Sequence, residues 1–524
     1  MSLHLNLTVA NASWGATMLA SCVLWYVWRL RHRRNEERLP HPPGPPGLPL
    51  IGNLLDVPKE STWLTYFAMS EKYDSDIIRL NVMGTNIIVL NSAQAVSDLL
   101  EKRSSNYSDR PQAVMLNELV GFKWATSSLG YNARWKDHRR AFHQYMGPES
   151  TKQSRLIEED ETAVVLEKLL LGREGFVDHI RHMAGSEILR IAYGIEVQEQ
   201  DDPFIHIAEQ SMQSITATLT AGSYLVDVLP FLKYVPEWVP GAGFKQQARE
   251  WRHWMLRSLH EPYNEVKRRV EQGQAADCVG ASLIENMVNS AQDAEYTESV
   301  VREMLASMYL AAGTDSTVST LVSFILAMVL HPDIQTKAQA EVDLHCYGRL
   351  PTFADYDALQ YCHAIVKEAL RWNPVVPLAV PHQSSSDDTY KGYYIPKGSI
   401  VLGNSWAILH DDAIYRQPHA FNPDRFMKGG KLNPDMRDPV TAAFGYGRRI
   451  CPGRYMAYDS IWITVASLLA VFNFTKAKDA KGNEITPSGE YNMGFLSYPL
   501  PFKCDIQPRS AEHKALVEAT RGKM

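Results

Sequence analysis

The sequence predicts a mainly α-helical protein with small β-sheets: one large domain behind an N-terminal membrane anchor. Glu298 to Leu330 holds no proline and is apolar nearly all round from Met304, a helix that at about 1.5 Å per residue crosses a whole domain. Amphipathic helical patterns fill much of Ser150 to Gln274, whereas β-rich runs are short, as at Ile77 to Leu80 and Ile87 to Leu90 around the Met83-Gly84-Thr85-Asn86 turn. No Ser/Gly-rich linker, low-complexity tract or repeat divides the 524 residues after about residue 50, which makes a single domain the simpler organisation.

With 45% hydrophobic and 21% charged residues and a net charge of -6, the chain can bury a large core and has no basic stripe for nucleic acid. Its six cysteines are scattered without framework spacing, as expected where thiols stay reduced.

Thr8 to Trp28 is uncharged and just long enough to span a bilayer, which takes roughly 20 residues. Arg29, Arg31, Arg33 and Arg34 follow it and place that end in the cytosol; charges after the apolar run favour an uncleaved anchor over a signal peptide. The glycosylation sequons at Asn6 and Asn11 then lie on the lumenal side. Leu39 to Pro49 is a stiff proline-rich spacer. The expected division is residues 1–34 as lumenal tip and anchor, 35–50 as hinge, 51–507 as the main domain and 508–524 as a polar tail.

Within the main domain, Ala443 to Gly453 presents Cys451 among glycines and arginines. Gly445, Gly447 and Gly453 permit backbone conformations that let the chain approach a flat ligand closely. Arg448, Arg449 and the first amides of the following helix favour a thiolate, which is a nucleophile or a metal ligand. No CxxC or HExxH lies nearby, which disfavours zinc and iron–sulfur clusters; one thiolate suffices for haem iron, and a buried structural cysteine is the alternative.

In the middle of the long helix, Ala312-Gly313-Thr314-Asp315-Ser316-Thr317 weakens the backbone and promotes a kink with a small groove. Asp315 and the six Ser/Thr from Thr314 to Ser323 make a second membrane span expensive. Trp135 and Arg139, four apart, share a helix face and can together bind a carboxylate, or the helix is simply basic and exposed with Trp135 packed inward. Glu368 and Arg371 pair on one face; Pro374 to His382 reads as extended and apolar. Val235 to Phe244 is an aromatic and apolar interruption between helices, bounded by breakers, that can pack on the core.

Phe444-x-x-Gly447-x-Arg449-x-Cys451-x-Gly453, with Ala457 beyond it, resembles the haem-binding signature of the cytochrome P450 superfamily. Trp135-x-x-x-Arg139, Ala312-Gly313-Thr314-Asp315-Ser316-Thr317 and Glu368-x-x-Arg371 are similar to that family's WxxxR, AGxDTT and ExxR motifs, and the resemblance runs from Pro40 to Gln507. Arg371-Trp372-Asn373-Pro374, Ala379-Val380-Pro381-His382 and Phe444 to Arg449 look most like fungal secondary-metabolite enzymes, of the O-methylsterigmatocystin oxidoreductase-like kind.

The resemblance implies the cytochrome P450 fold in a single catalytic domain, with haem b (iron protoporphyrin IX) ligated by Cys451 and contacted by Trp135, Arg139, His382, Phe444, Arg449 and Gly453. It implies a dioxygen groove and proton relay at Asp315, Ser316 and Thr317. Ser316 stands where the family usually has threonine, so the hydroxyl is kept and the methyl lost. Glu368, Arg371 and Arg425 become a buried structural trio, and Ala312, Val376, Leu378, Phe495 and Leu496 line an apolar substrate pocket. For Val235 to Phe244 the resemblance implies, instead of packing on the core, a segment near the bilayer with Trp238 and Phe244 touching lipid. The implied activity is a monooxygenase on a lipophilic molecule such as a terpenoid, sterol, indole or polyketide, in the endoplasmic reticulum membrane with its catalytic domain cytosolic. Without a Rossmann or flavin fingerprint, electrons come from NADPH–cytochrome P450 reductase, with cytochrome b5 as a further candidate; Lys136, Arg140, Arg448 and Arg454 are candidate docking residues. A haem-thiolate isomerase or dehydratase, and a non-catalytic haem-binding protein, are the competing readings.

Overall fold

The computed structural model describes residues 22, 25, 26, 39–172, 175–219, 223–288, 294–312 and 315–520. The expected anchor and both sequons fall outside this set, apart from Cys22, Trp25 and Tyr26. Among the described residues no single helix is long and apolar enough to cross a membrane.

Strands β1 (Ile77–Val82) and β2 (Thr85–Leu90) form the expected hairpin, joined through Met83 and Gly84, both at positive φ as the tight turn matching strand twist demands. Two later strands, β3 (His382–Gln383) and β4 (Ile400–Gly403), complete a sheet of order β1-β2-β4-β3, with β4 parallel to β2 and antiparallel to β3. Alternation along the strands divides the side chains: Ile77, Ile88, Leu90 and Val401 join the main core, while Ile78, Leu80, Val89 and Leu402 form a smaller cluster with Tyr66.

Seven helices position the site: α1 (Ala133–Met146), α2 (Arg155–Leu171), α3 (Phe176–Tyr193), α4 (Ala294–Ala312), α5 (Ser316–Leu330), α6 (Gln360–Trp372) and α7 (Arg454–Val471). Helices α2, α3, α5 and α7 pack around the main core. From Thr317 to Val329 every residue of α5 is buried, which explains why the helix carries no charged side chain: it is a central helix. The single long helix expected from the sequence is two, α4 and α5. Asp315, with φ -126° and ψ -26°, is outside helical geometry, and its carbonyl accepts the Ser319 amide at 2.9 Å to start α5. Gly313 and Thr314 lie outside the described residues.

Residues 511–520 of the C-terminal segment are helical and pack against α2 and α7, with Val517 buried. Trp238 is 83% exposed, whereas Phe244 packs against the second core cluster, so the two aromatics of the 235–244 interruption part company.

Candidate active site

The loop before α7 is built on two glycines. Gly445 and Gly447 have φ of 78° and 56°, and a Cβ on Gly447 would lie 2.0 Å from the Leu100 carbonyl oxygen, so no side chain fits there. Gly453 corrects the expectation: its φ is -86°, open to any residue, and its place is the start of α7 with Met146 close by. The Cys451 amide donates to the Phe444 carbonyl at 2.8 Å, closing the loop and setting the Cys451 side chain in the wall of a cavity of about 370 Å³.

Burial pushes the Cys451 thiol above its usual pKa; the Gly453 amide, Arg139 and Arg454 pull the other way. Arg448 and Arg449, expected to supply that positive charge, do not. Arg448 turns to the Tyr131 hydroxyl, and Arg449 donates to the carbonyls of Ser108 (2.7 Å), Leu129 (2.8 Å) and Thr126 (3.3 Å). Arg139, from α1, takes that place and donates to the Ile450 carbonyl at 2.9 Å.

Trp135 and Arg139 both border the cavity from α1, which starts at Asn132, whose side chain caps the Trp135 amide at 3.0 Å. The Arg449 guanidinium stands 4.4 Å over the Trp135 ring. His382, on β3, bonds through Nδ1 to the Tyr107 carbonyl at 2.7 Å; a carbonyl only accepts, so Nδ1 carries the hydrogen and Nε2 is the remaining ring nitrogen. Burial, then the charge of Arg110, holds the His382 pKa well below its usual value.

Arg110 was not singled out from the sequence, where it lay in a turn-rich stretch with no periodicity. It borders the cavity and donates to the carbonyls of Ser127, Val380 and Pro381 at 3.1, 2.7 and 2.6 Å. Burial and the like charge of Arg449 push its pKa far down, and Arg449 itself is pushed down to about 10, chiefly by burial. Among the described residues, Arg110, Arg139 and Arg449 form no ion pair. A buried cationic cavity end whose donors meet only neutral carbonyls fits a ligand bearing carboxylates, and a cysteine in the same wall fits its metal: the residues present suit haem.

Asp315, Ser316 and Thr317 all border this cavity. Burial raises the Asp315 pKa, with Arg181 of α3 opposing. Val376, Phe495 and Leu496 line the apolar part, together with Phe122, Met308 and Val375, which sequence reasoning missed. The Ser319 hydroxyl on α5 donates to the Ser497 carbonyl at 2.7 Å, and the Ser497 amide donates to the Val375 carbonyl at 2.8 Å, tying three walls together.

Leu378 is not part of the lining. The segment from Pro374 is no continuous strand: the Ala379 amide closes a turn onto the Val376 carbonyl at 3.0 Å, Ala379 has φ 53°, and Leu378 swings to the small cluster behind the sheet. Of Ala312 the structure describes the backbone as the end of α4 and not the side-chain surroundings. A polar cleft of about 410 Å³ at the start of α4, walled by Glu295, Glu298 and Arg302, holds none of these groups.

Glu368, Arg371 and Arg425 are brought together. Arg371 grips Glu368 with two bonds of 2.7 and 2.9 Å, and Arg425 approaches the same carboxylate at 3.2 Å. Both Glu368 and Arg371 are wholly buried, and the Asn422 amide donates to Glu368 at 2.7 Å.

Comparison with known proteins agrees with this geometry. The cytochrome P450 family profile matches residues 42–505. Similar curated proteins include a cytochrome P450 monooxygenase of Armillaria gallica, 44% identical over 93% of this chain and 96% of that one. Cytochrome P450 monooxygenase 98 of Postia placenta is 43% identical over 93% and 94%. Tryptamine 4-monooxygenase of Psilocybe cyanescens is 40% identical over 94% and 97%. A match spanning nearly the whole chain, on a fold that gathers Cys451, the unpaired arginines and the broken central helix around one cavity, leaves one assignment: the chain belongs to the cytochrome P450 family.

Proposed function

We propose that the cavity holds haem through Cys451 and that the protein inserts one oxygen atom of O2 into a lipophilic small molecule, using electrons delivered from NADPH by a separate reductase. The observation that carries this is the shared cavity wall of Cys451, Arg110, Arg449 and the Asp315-Ser316 break. Bound haem supplies a thiolate-ligated iron able to activate dioxygen. The chain supplies the rest. Arg449, Arg110, Trp135, Arg139 and His382 bind and orient the carboxylate-bearing end, and Phe444 and Gly453 frame the Cys451 loop. Asp315, its pKa raised by burial, holds and passes a proton, and the Ser316 and Thr317 hydroxyls carry it into the cavity. Val376, Phe495 and Leu496 exclude water and receive an apolar substrate.

An isomerase or a passive haem carrier has no use for the Asp315-Ser316 pair, which is why the monooxygenase is preferred. Substrates of the terpenoid, sterol, indole or polyketide type suit the apolar lining; a relative named for tryptamine supports including indoles in the first screen. The reading extends to an uncleaved anchor at residues 1–34, a cytosolic catalytic domain on the endoplasmic reticulum, NADPH–cytochrome P450 reductase and cytochrome b5 as electron donors, and Lys136, Arg140, Arg448 and Arg454 on the docking face; it rests on the charge pattern of the sequence.

The deciding experiment is the reduced, CO-bound difference spectrum of wild type and Cys451→Ala, followed by NADPH consumption with reductase. A thiolate-type band lost in the variant supports the reading, and a histidine-type band in both sinks it. In Ser316→Ala, NADPH use per product should rise; unaltered coupling would assign proton delivery to Thr317 or water.

A further inference from the structure

The other face of α1 carries a second set of polar contacts. Arg134 and His138, one turn apart, both meet Glu303 of α4. Arg134 binds its carboxylate at 2.8 Å, and His138 Nε2 lies 3.5 Å from it with no hydrogen bond of its own. The imidazole is completely buried, and its Nδ1 pairs with the Thr126 hydroxyl at 2.8 Å. One turn along α4 from Glu303, the Ser307 hydroxyl donates to the Glu303 carbonyl at 2.7 Å and accepts the Thr126 amide at 3.0 Å. The hydroxyl and the amide of Thr126 are therefore held, one by each helix. The Thr126 carbonyl and that of Leu129 accept from Arg449, whose guanidinium lies over Trp135, back on α1. The contacts form a closed circuit: α1 to Thr126 through His138, Thr126 to Arg449, and Arg449 to α1 through Trp135.

We infer that His138 is a positioning residue for Arg449: through the Thr126 hydroxyl it fixes two of the three carbonyls, those of Thr126 and Leu129 beside that of Ser108, that aim the Arg449 guanidinium at the carboxylate-binding end of the cavity. Burying an imidazole is costly unless its polar atoms are engaged, and here the engaged nitrogen is the one facing the loop. The bond to Thr126 acts on the loop that holds Arg449, while the contact with Glu303 sets the ring against α4. The inference rests on the proposed carboxylate-binding role of Arg449.

The two ring nitrogens separate in two substitutions. Asparagine presents an amide near the place of Nδ1, keeping the Thr126 bond and losing the reach to Glu303; glutamine presents one near Nε2 and does the reverse. The experiment measures, on purified holoenzyme, the rate of haem loss to excess apomyoglobin and the haem midpoint potential. Variants are Arg449→Leu, His138→Gln, His138→Asn and Thr126→Val; the last removes only the hydroxyl and serves even where loss of the imidazole prevents folding. Arg449→Leu, His138→Gln and Thr126→Val are expected to accelerate haem loss by roughly tenfold, the order of one hydrogen bond to a charged group, and to shift the potential in a common direction, with His138→Asn within about twofold of wild type. If Arg449→Leu is fast while Thr126→Val matches wild type, or if His138→Asn is as fast as His138→Gln, the positioning role is wrong and the carboxylate reading stands. If Arg449→Leu itself holds haem as wild type does, the carboxylate reading fails and this inference with it.

Discussion

Two groups of buried arginines solve the same electrostatic problem in opposite ways. Arg371 and Arg425 close on Glu368, so their charge meets an opposite charge inside the protein and the cluster is complete. The guanidiniums of Arg110 and Arg449 hydrogen-bond only carbonyl oxygens, and burial depresses the pKa of both, with Arg449 adding to the effect on Arg110, Arg139 adding to that on Arg449, and Asp109 opposing in each case without forming an ion pair. A cluster that holds its own counter-charge belongs to the fold, whereas buried positive charge that makes no ion pair at a cavity wall is a ligand site before any ligand is seen.

Removing the anion from the complete cluster should have the largest effect. Glu368→Gln leaves two buried guanidiniums without a counter-charge, and a loss of about 3–5 kcal/mol in folding free energy is expected, read by denaturant unfolding or as a collapse in soluble yield. A Glu368→Gln protein as stable as wild type would erase the distinction between the two clusters. At the incomplete cluster the sign differs. Arg110→Met removes a guanidinium that burial already disfavours, so the unloaded protein should keep its stability to within about 1 kcal/mol, while haem affinity falls by roughly tenfold to a hundredfold, the worth of a hydrogen bond to a charged group. Differential unfolding with and without haem checks both halves, and an Arg110→Met protein that unfolds as readily as Glu368→Gln would make Arg110 structural.

The complete cluster was legible in the sequence because its core pair is local: Glu368 and Arg371 are one helical turn apart on α6, as Trp135 and Arg139 are on α1. The Cys451 loop was legible because Gly445 and Gly447 mark positive φ. The rest depends on contacts distant in the chain. Arg110 reads as one charge in a turn-rich stretch, and only folding buries it beside Arg449. Arg448 and Arg449 are next to Cys451 in sequence yet point elsewhere; of the two cations that act on the thiol, Arg454 is local, but Arg139 is over 300 residues away. Leu378 missed the lining because the turn from Val376 to Ala379 breaks the strand alternation on which its placement relied.

Carboxylates sharpen the comparison by a smaller amount. Among the described residues Glu158 and Glu187 are buried without forming an ion pair, although Arg155 acts on Glu158 from further off: Glu187 accepts the Ser460 hydroxyl at 2.6 Å, and neither Glu158 oxygen has a hydrogen-bond partner. Burial pushes Glu187 up to about 8 and Glu158 well above its usual value. The folded state then binds a proton that the unfolded chain, titrating near about 4.3, has already released. Stability is therefore fully present below that unfolded value and is lost as pH rises toward 8, by at most about 1.4 kcal/mol per pH unit for each group. Glu187→Gln should remove one group's share, leaving a shallower decline between pH 5.5 and 7.5 in denaturant titrations. A slope unchanged by Glu187→Gln would mean that Glu187 is ionised in the folded protein, and that a buried carboxylate here persists without the arginines that Glu368 needs.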